Sequence, residues 1–222
     1  MKLDHSDYTH ISFDLWLTLI KSNPEFKQKR NLLFKNFFKI DSSITKVAEV
    51  VRYYDLLCNN VNEKTGLNFA TNEIYYLILN SLEVDIGKID LKSLENFYLE
   101  TELLFMEFKP VLIYPKIELL FSELVEQQKS ISILSNTGFI SGGTLRKLLR
   151  YYDLDKFFSF QIYSDEVGMS KPNPKIFKIV YNEICLIKEI NRAEVLHIGD
   201  NMIADYNGAR EFGFNSLLIK QQ

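Results

Sequence analysis

Tyr8-Thr9-His10-Ile11-Ser12-Phe13-Asp14 is an alternating and then apolar run of strand formers that stops at an acid. Asp14 therefore stands at a strand's carboxyl end. Further on, Asn23-Pro24 offers a capping side chain followed by proline at the first helical position. From there to Lys109 the pattern is helical and nearly free of glycine, which predicts four helices over about 24–39, 43–62, 71–84 and 90–108. After Pro110 the rhythm changes to short apolar runs alternating with amphipathic helices, the pattern of a parallel sheet covered on both faces. Four more strands are expected at Ile131–Leu134, Phe160–Tyr163, Val195–Ile198 and Ser216–Ile219, joined by helices near 115–128, 141–151, 174–185 and 203–212. The expected fold class is α/β, a doubly wound, Rossmann-like parallel sheet with an inserted helical bundle. The core would comprise residues 1–20 and 110–222, and the helical lid residues 21–109.

A chain of 222 residues is long enough to bury a sizeable core, and 46% hydrophobic with 25% charged residues is an ordinary globular composition. Lys and Arg number 26 against 29 Asp and Glu, so the formal charge of −3 offers no basic surface for a phosphate backbone. No nucleic-acid partner is expected. The polar, acidic start from Met1 to Asp7 leads to no apolar stretch of signal-peptide type, and no run approaches the roughly 18 apolar residues of a membrane span. Cys58 and Cys185 have no second Cys or His at metal-ligand spacing and read as core thiols, as a reducing cytoplasm allows. A cytoplasmic protein with no membrane partner, a monomer or homodimer, is the expectation.

In open α/β sheets ligands sit just beyond the carboxyl ends of the strands. Those positions hold Asp14, then Ser135-Asn136-Thr137-Gly138, then Asp200 with Asp205, and Lys171 follows the third strand inside Ser170-Lys171-Pro172-Asn173-Pro174. Three carboxylates, a hydroxyl and a lysine would converge on one edge. A carboxylate can attack phosphorus, and a hard cation such as Mg²⁺, held by Asp14 and Asp200, would screen two anions from each other. Ser135 and Lys171 would hydrogen-bond or neutralise phosphoryl oxygens, and the Thr137-Gly138 turn would offer backbone N–H groups to an anion. Asn136 fits equally as a helix cap and as a substrate contact. His10 and His197 fall inside strands, where a hydrogen-bonded core histidine is the expectation. In the helical segment, Arg52 and Lys64 are the cations most able to reach an anionic substrate.

The arrangement resembles the haloacid dehalogenase superfamily of hydrolases and phosphatases. The likeness rests on four motifs in order: His10-Ile-Ser-Phe-Asp14-Leu-Trp16-Leu-Thr18, Ile133-Leu134-Ser135-Asn136, Ser170-Lys171-Pro172, and Ile198-Gly199-Asp200-Asn201-Met-Ile-Ala-Asp205. By that resemblance the helical segment is a cap inserted after the first motif. Asp14 is then the nucleophile that forms an aspartyl-phosphate, and Thr18 helps to position it. Ser135 and Lys171 bind the transferring group. Asp14, Asp200 and the main-chain carbonyl of Trp16 hold Mg²⁺, while Asp205 orients Lys171 or a metal-bound water. The substrate class implied is a small phosphorylated metabolite.

One position departs from the family pattern. Most family phosphatases carry a second Asp two residues after the nucleophile, where this chain has Trp16. An indole has no proton to exchange near neutral pH. Family dehalogenases carry an aromatic there because halide leaves without protonation, but they work without metal and generally lack the acid matching Asp200. Three readings follow: a Mg²⁺-dependent phosphatase, a 2-haloacid dehalogenase, and a binding or regulatory member with weakened catalysis.

Overall fold

The computed structural model describes residues 5–219. Its first strand, β1 (His10–Phe13), is followed by a two-residue strand β2 (Ile20–Lys21) and then by four helices: α1 (Pro24–Phe37), α2 (Ile44–Thr65), α3 (Thr71–Ser81) and α4 (Leu91–Glu107). The chain returns through β3 (Val111–Leu112), α5 (Ile117–Glu126), β4 (Ser130–Ser135), α6 (Gly142–Tyr151), β5 (Phe160–Tyr163), α7 (Ser164–Val167), α8 (Pro174–Ile187) and β6 (Val195–Gly199). A wide π-helical turn (Met202–Asn207), α9 (Gly208–Phe212) and β7 (Asn215–Leu218) complete it.

Five strands form one parallel sheet in the order β5-β4-β1-β6-β7. The chain leaves β1 for β4 and β5 on one side and then crosses to β6 and β7 on the other. The order therefore switches direction at β1, and the crevice this opens lies at the carboxyl end of β1, beside Asp14. Both faces are covered, as the apolar runs require. Ile11, Phe13, Ile131 and Ile133 pack with Phe121, Leu145 and Leu148 from α5 and α6. Leu134, Ile162 and Val195 pack with Phe177, Val180 and Phe212 from α8 and α9.

The four helices build a second core of their own. Phe34, Phe38, Tyr75 and Phe97 interlock around Val47, Val51, Ile78 and Leu79, with Phe34 and Phe97 edge to face at 5.3 Å. Phe139, from the loop after β4, inserts into this cluster 5.3 Å from Tyr75. The antiparallel pair β2–β3 joins the two places where the chain enters and leaves the helical segment. Two-residue strands carry no period to read, which is why the sequence shows neither.

The cap-then-proline starts hold: Asn23 Oδ1 accepts from Glu25 N and Asn173 Oδ1 from Lys175 N, each at 3.0 Å. Two expectations change. The helix near 203–212 begins as a π-turn, because Asn201 Oδ1 takes the N–H groups of Ile203 and Ala204 while its carbonyl takes those of Asp205 and Tyr206. Cys58 is buried, but Cys185 is exposed on α8 and is not a core thiol. No helix among the described residues is long and apolar enough to cross a membrane.

Candidate active site

Asp14 continues β1 by donating its N–H to Ile198 O at 2.8 Å, which fixes the side chain at the crevice. Its Oδ1 accepts from Ser135 Oγ at 3.1 Å and from Lys171 Nζ at 2.8 Å. Neither bond uses Oδ2. Lys171 is 1% exposed and spends its ammonium on three oxygens, those of Asp14 Oδ1, Leu134 O (2.7 Å) and Asp205 Oδ1 (2.7 Å). Such a lysine is held as a rigid charge, because three donors meet three acceptors in one geometry.

Asp205 is equally constrained. Its Oδ2 accepts from Asn201 N at 3.0 Å, and its Oδ1 also accepts from His197 Nε2 at 3.1 Å. The π-turn makes this possible by folding Asp205 back over the end of β6. A Cβ on Gly199 would stand 2.2 Å from that carboxylate, so only glycine fits there. His197 Nδ1 meets Ser12 Oγ at 3.0 Å, giving a continuous polar chain from Ser12 through His197, Asp205 and Lys171 to Asp14.

Charge and burial compete along this chain. Burial pushes the Asp14 carboxyl up to about 6, with Lys171 opposing and the neighbouring carboxylates adding to the rise. Burial also works against the charges on Lys171 and Asp205, but their mutual attraction outweighs it. Lys171 is therefore raised and Asp205 held below the usual carboxylate range. Burial lowers His197, which leaves it neutral and able to donate to Asp205. Carboxylate oxygens of Asp14, Asp200 and Asp205 lie within 4.8 Å of one another. Three hard anionic donors that close fit a Mg²⁺-class cation, and Lys171, paired with Asp14 and Asp205, offsets part of their repulsion.

The cleft above these groups has a volume of about 310 Å³, the lower end of the range for small-molecule sites. Asp14, Trp16, Asn136, Lys171, Asp200 and Asp205 line its floor, and Arg30, Asp55, Asn59, Asn62 and Glu63 line the wall made by α1 and α2. Trp16 packs edge to face on Phe105 at 6.3 Å.

Some expected contributors lie away from the cleft, and others, Asn136 and Thr137, line it with polar groups spent on the protein. Arg52 is exposed and paired with Asp55 at 2.9 Å, and Lys64 is exposed; neither lines the cleft, because both lie on the outer face of α2. Asn136 neither caps a helix nor keeps its amide for a ligand: it accepts from Lys171 N (2.8 Å) and donates to Lys171 O (3.0 Å), clamping that peptide, while Ser141 caps α6. The Thr137 N–H is spent on Ser164 Oγ at 2.8 Å and its hydroxyl donates to Asp165, so it offers no N–H to an anion. Thr18 is buried and its Oγ1 makes no hydrogen bond, so it does not hold Asp14 through one. His10 is the expected core histidine, bonded to Ser130 and Ser132, whereas His197 belongs to the polar chain under the site.

The model of the haloacid dehalogenase-like hydrolases matches residues 11–219, nearly the whole chain. The chain belongs to this family. Among similar proteins, the Rhythmically expressed gene 2 protein of Drosophila melanogaster is 38% identical over 78 residues, 35% of this chain and 30% of that protein. The glyceraldehyde 3-phosphate phosphatase of Pyrococcus furiosus is 33% identical over 88 residues, 38% of this chain and 35% of that one. The matched segments thus span about a third of those relatives' lengths. Among solved structures, YfnB from Bacillus subtilis, bound to magnesium, has a TM-score of 0.69 at 19% identity, covering 96% of this chain and 88% of its own. A 2-haloacid dehalogenase from Pseudomonas syringae scores 0.63 at 14% identity, with 95% and 86% covered. Members with either chemistry share the fold, so the choice between them rests on the site.

Proposed function

We propose that this family member is a Mg²⁺-dependent phosphohydrolase of small phosphate monoesters. The observation that supports it most is the carboxylate group itself: Asp14, Asp200 and Asp205 meet within 4.8 Å around one lysine, a donor set suited to a hard cation and ill suited to a metal-free halide site. Asp14, Asp200 and the Trp16 carbonyl would hold the ion, with Asp205 reaching it through water. Bound there, it would neutralise phosphoryl charge and spare Asp14 the repulsion of an incoming anion.

The chain's own groups then have defined work. Asp14 Oδ2, the oxygen left clear by Ser135 and Lys171, attacks phosphorus; an Asp14 O–P bond forms as the ester P–O bond breaks, and the leaving oxygen departs with the bonding pair. Lys171, its three N–H groups already taken, offsets charge on the transferring group through the field of its ammonium, and the Ser135 hydroxyl stands beside the same oxygen of Asp14. Water then attacks phosphorus as the Asp14 O–P bond breaks; the bonding pair returns to the Asp14 carboxylate, the water's proton passes to the phosphate or to solvent, and inorganic phosphate is released. No acid stands at Trp16 to protonate the leaving oxygen, and the carboxylates of the opposite wall are engaged, Asp55 with Arg52 and Glu63 with Asn201. Esters with good leaving groups are therefore the preferred substrates.

The test is hydrolysis of p-nitrophenyl phosphate with Mg²⁺ and with chelator, in the wild type and in Asp14→Asn. Metal-dependent turnover lost in the variant supports the proposal. Halide release from a short 2-haloacid in chelator, with no phosphatase activity, would replace it with the dehalogenase reading that Trp16 favours.

A further inference from the structure

Arg30 lies on α1 with 8% of its surface exposed, and it lines the same cleft as Asp14. Its guanidinium stacks over Phe139 at 4.5 Å and stands 5.9 Å from the Phe26 ring. Among the described residues its side chain makes one hydrogen bond, to Asn31 Oδ1 at 3.2 Å. The carboxylate whose field reaches it, Asp55, is itself held by Arg52 at 2.9 Å. A buried arginine is normally matched by an acid, because an uncompensated buried charge is costly. Here five donors, one of them used, sit in an aromatic collar on the wall facing the nucleophile. The aromatic faces fix the planar fork without consuming its N–H groups, which preorganises it for a bidentate anion. Lys27, one turn earlier on α1, adds an exposed cation at the rim of the cleft.

We infer that Arg30 seats a second anionic group of the substrate, so that the substrates are small phosphate monoesters that also carry a carboxylate or a second phosphate. The inference builds on the phosphohydrolase reading. It assigns each end of the ligand to one wall: the scissile phosphoryl to Asp14, Ser135 and Lys171, the other anion to Arg30. A cleft of about 310 Å³ confines this to compact molecules.

The experiment measures binding apart from turnover. The Asp14→Asn protein, with Mg²⁺, is titrated calorimetrically with 3-phosphoglycerate and with glycerol 3-phosphate, its counterpart without the carboxylate. Propane-1,3-diol bisphosphate and the matching monophosphate form a second pair that separates a carboxylate from a phosphate at the second position. The doubly anionic member of at least one pair is expected to bind about 10- to 100-fold more tightly. Adding Arg30→Met should bring the ratio close to one, and Arg30→Lys, which keeps the charge without the fork, should leave an intermediate ratio. Equal affinities in both pairs, or a preference that survives Arg30→Met, would overturn the assignment and make Arg30 only a packing group. Should Arg30→Met not fold, a ratio unchanged in Arg30→Lys has the same meaning. The two proposals fail separately. Anion discrimination without turnover in the wild type removes the phosphohydrolase reading and keeps the Arg30 seat, whereas turnover without discrimination does the reverse.

Discussion

Replacing Trp16 by Asp restores an ionisable oxygen beside the nucleophile and separates a missing acid from a missing machine. Trp16 is half-buried and meets Phe105 edge to face at 6.3 Å. Losing that ring pair and its partial burial costs about 2–3 kcal/mol, or roughly 5–10 °C in Tm for a chain of this size. The fold is expected to survive this loss at 25 °C. In return, a general acid–base group is worth about 10²–10⁴ in rate, roughly 3–5 kcal/mol of barrier. The gain should depend on the leaving group. Glycerol 3-phosphate, whose alkoxide needs a proton, should turn over at least about 100-fold faster in Trp16→Asp, while p-nitrophenyl phosphate should change by less than about tenfold. Initial rates on both esters, with Tm measured in parallel, decide it. A folded variant with no gain on the alkyl ester would refute the claim that the absent acid limits this site.

Other consequences follow from the same groups. Burial raises the Asp14 carboxyl to about 6, above its unfolded value of 3.8, so its ionised form weakens the fold above that window. In chelator at pH 7.5, Asp14→Asn should therefore have a higher Tm than the wild type and no activity; a lower Tm would contradict this. His10 runs the other way, since burial drives it down to about 3 from 6.5, and burial lowers His197 too. Their contribution is complete above pH 6.5 and is lost as the unfolded chain takes up protons below it, about 2 kcal/mol for His10 by pH 5. Urea unfolding against pH should show this fall, and His10→Gln should flatten it. Saturating Mg²⁺ should raise Tm by the linkage of binding to folding, about 2.7 kcal/mol of stabilisation at 100 times Kd. The shift should vanish in Asp200→Asn, and a shift of full size there would place the ion elsewhere.

Much of this site was legible because residue type and strand end coincide. Asp14, Ser135 and Asp200 each close an apolar run, and the parallel sheet turns three distant positions into neighbours, with Lys171 brought in by the loop that Asn136 clamps. What the sequence concealed was which helix faces look into the cleft. Arg30 nonetheless carried a signal: it stands four residues from both Phe26 and Phe34, in the buried stripe of α1. A cation inside an apolar stripe is a better candidate than one beside it, and Arg52 and Lys64 lie outside the buried stripe of α2. Asn136 and Thr137 misled for another reason, since their polar atoms are consumed by Lys171, Ser164 and Asp165, partners distant in sequence. The π-turn under Asp205 left no periodic trace, and His197 looked like a core residue because it is one, with its outer nitrogen turned to Asp205.

The account rests on Asp14 as the phosphoryl acceptor. Rapid acid quench of the wild type turning over p-nitrophenyl phosphate with Mg²⁺, followed by mass spectrometry of the peptide containing Asp14, tests this most directly. A transient phosphoryl adduct on Asp14, absent with chelator and in Asp14→Asn, is the predicted result. Steady metal-dependent turnover that never modifies Asp14, or that persists in Asp14→Asn, would contradict it.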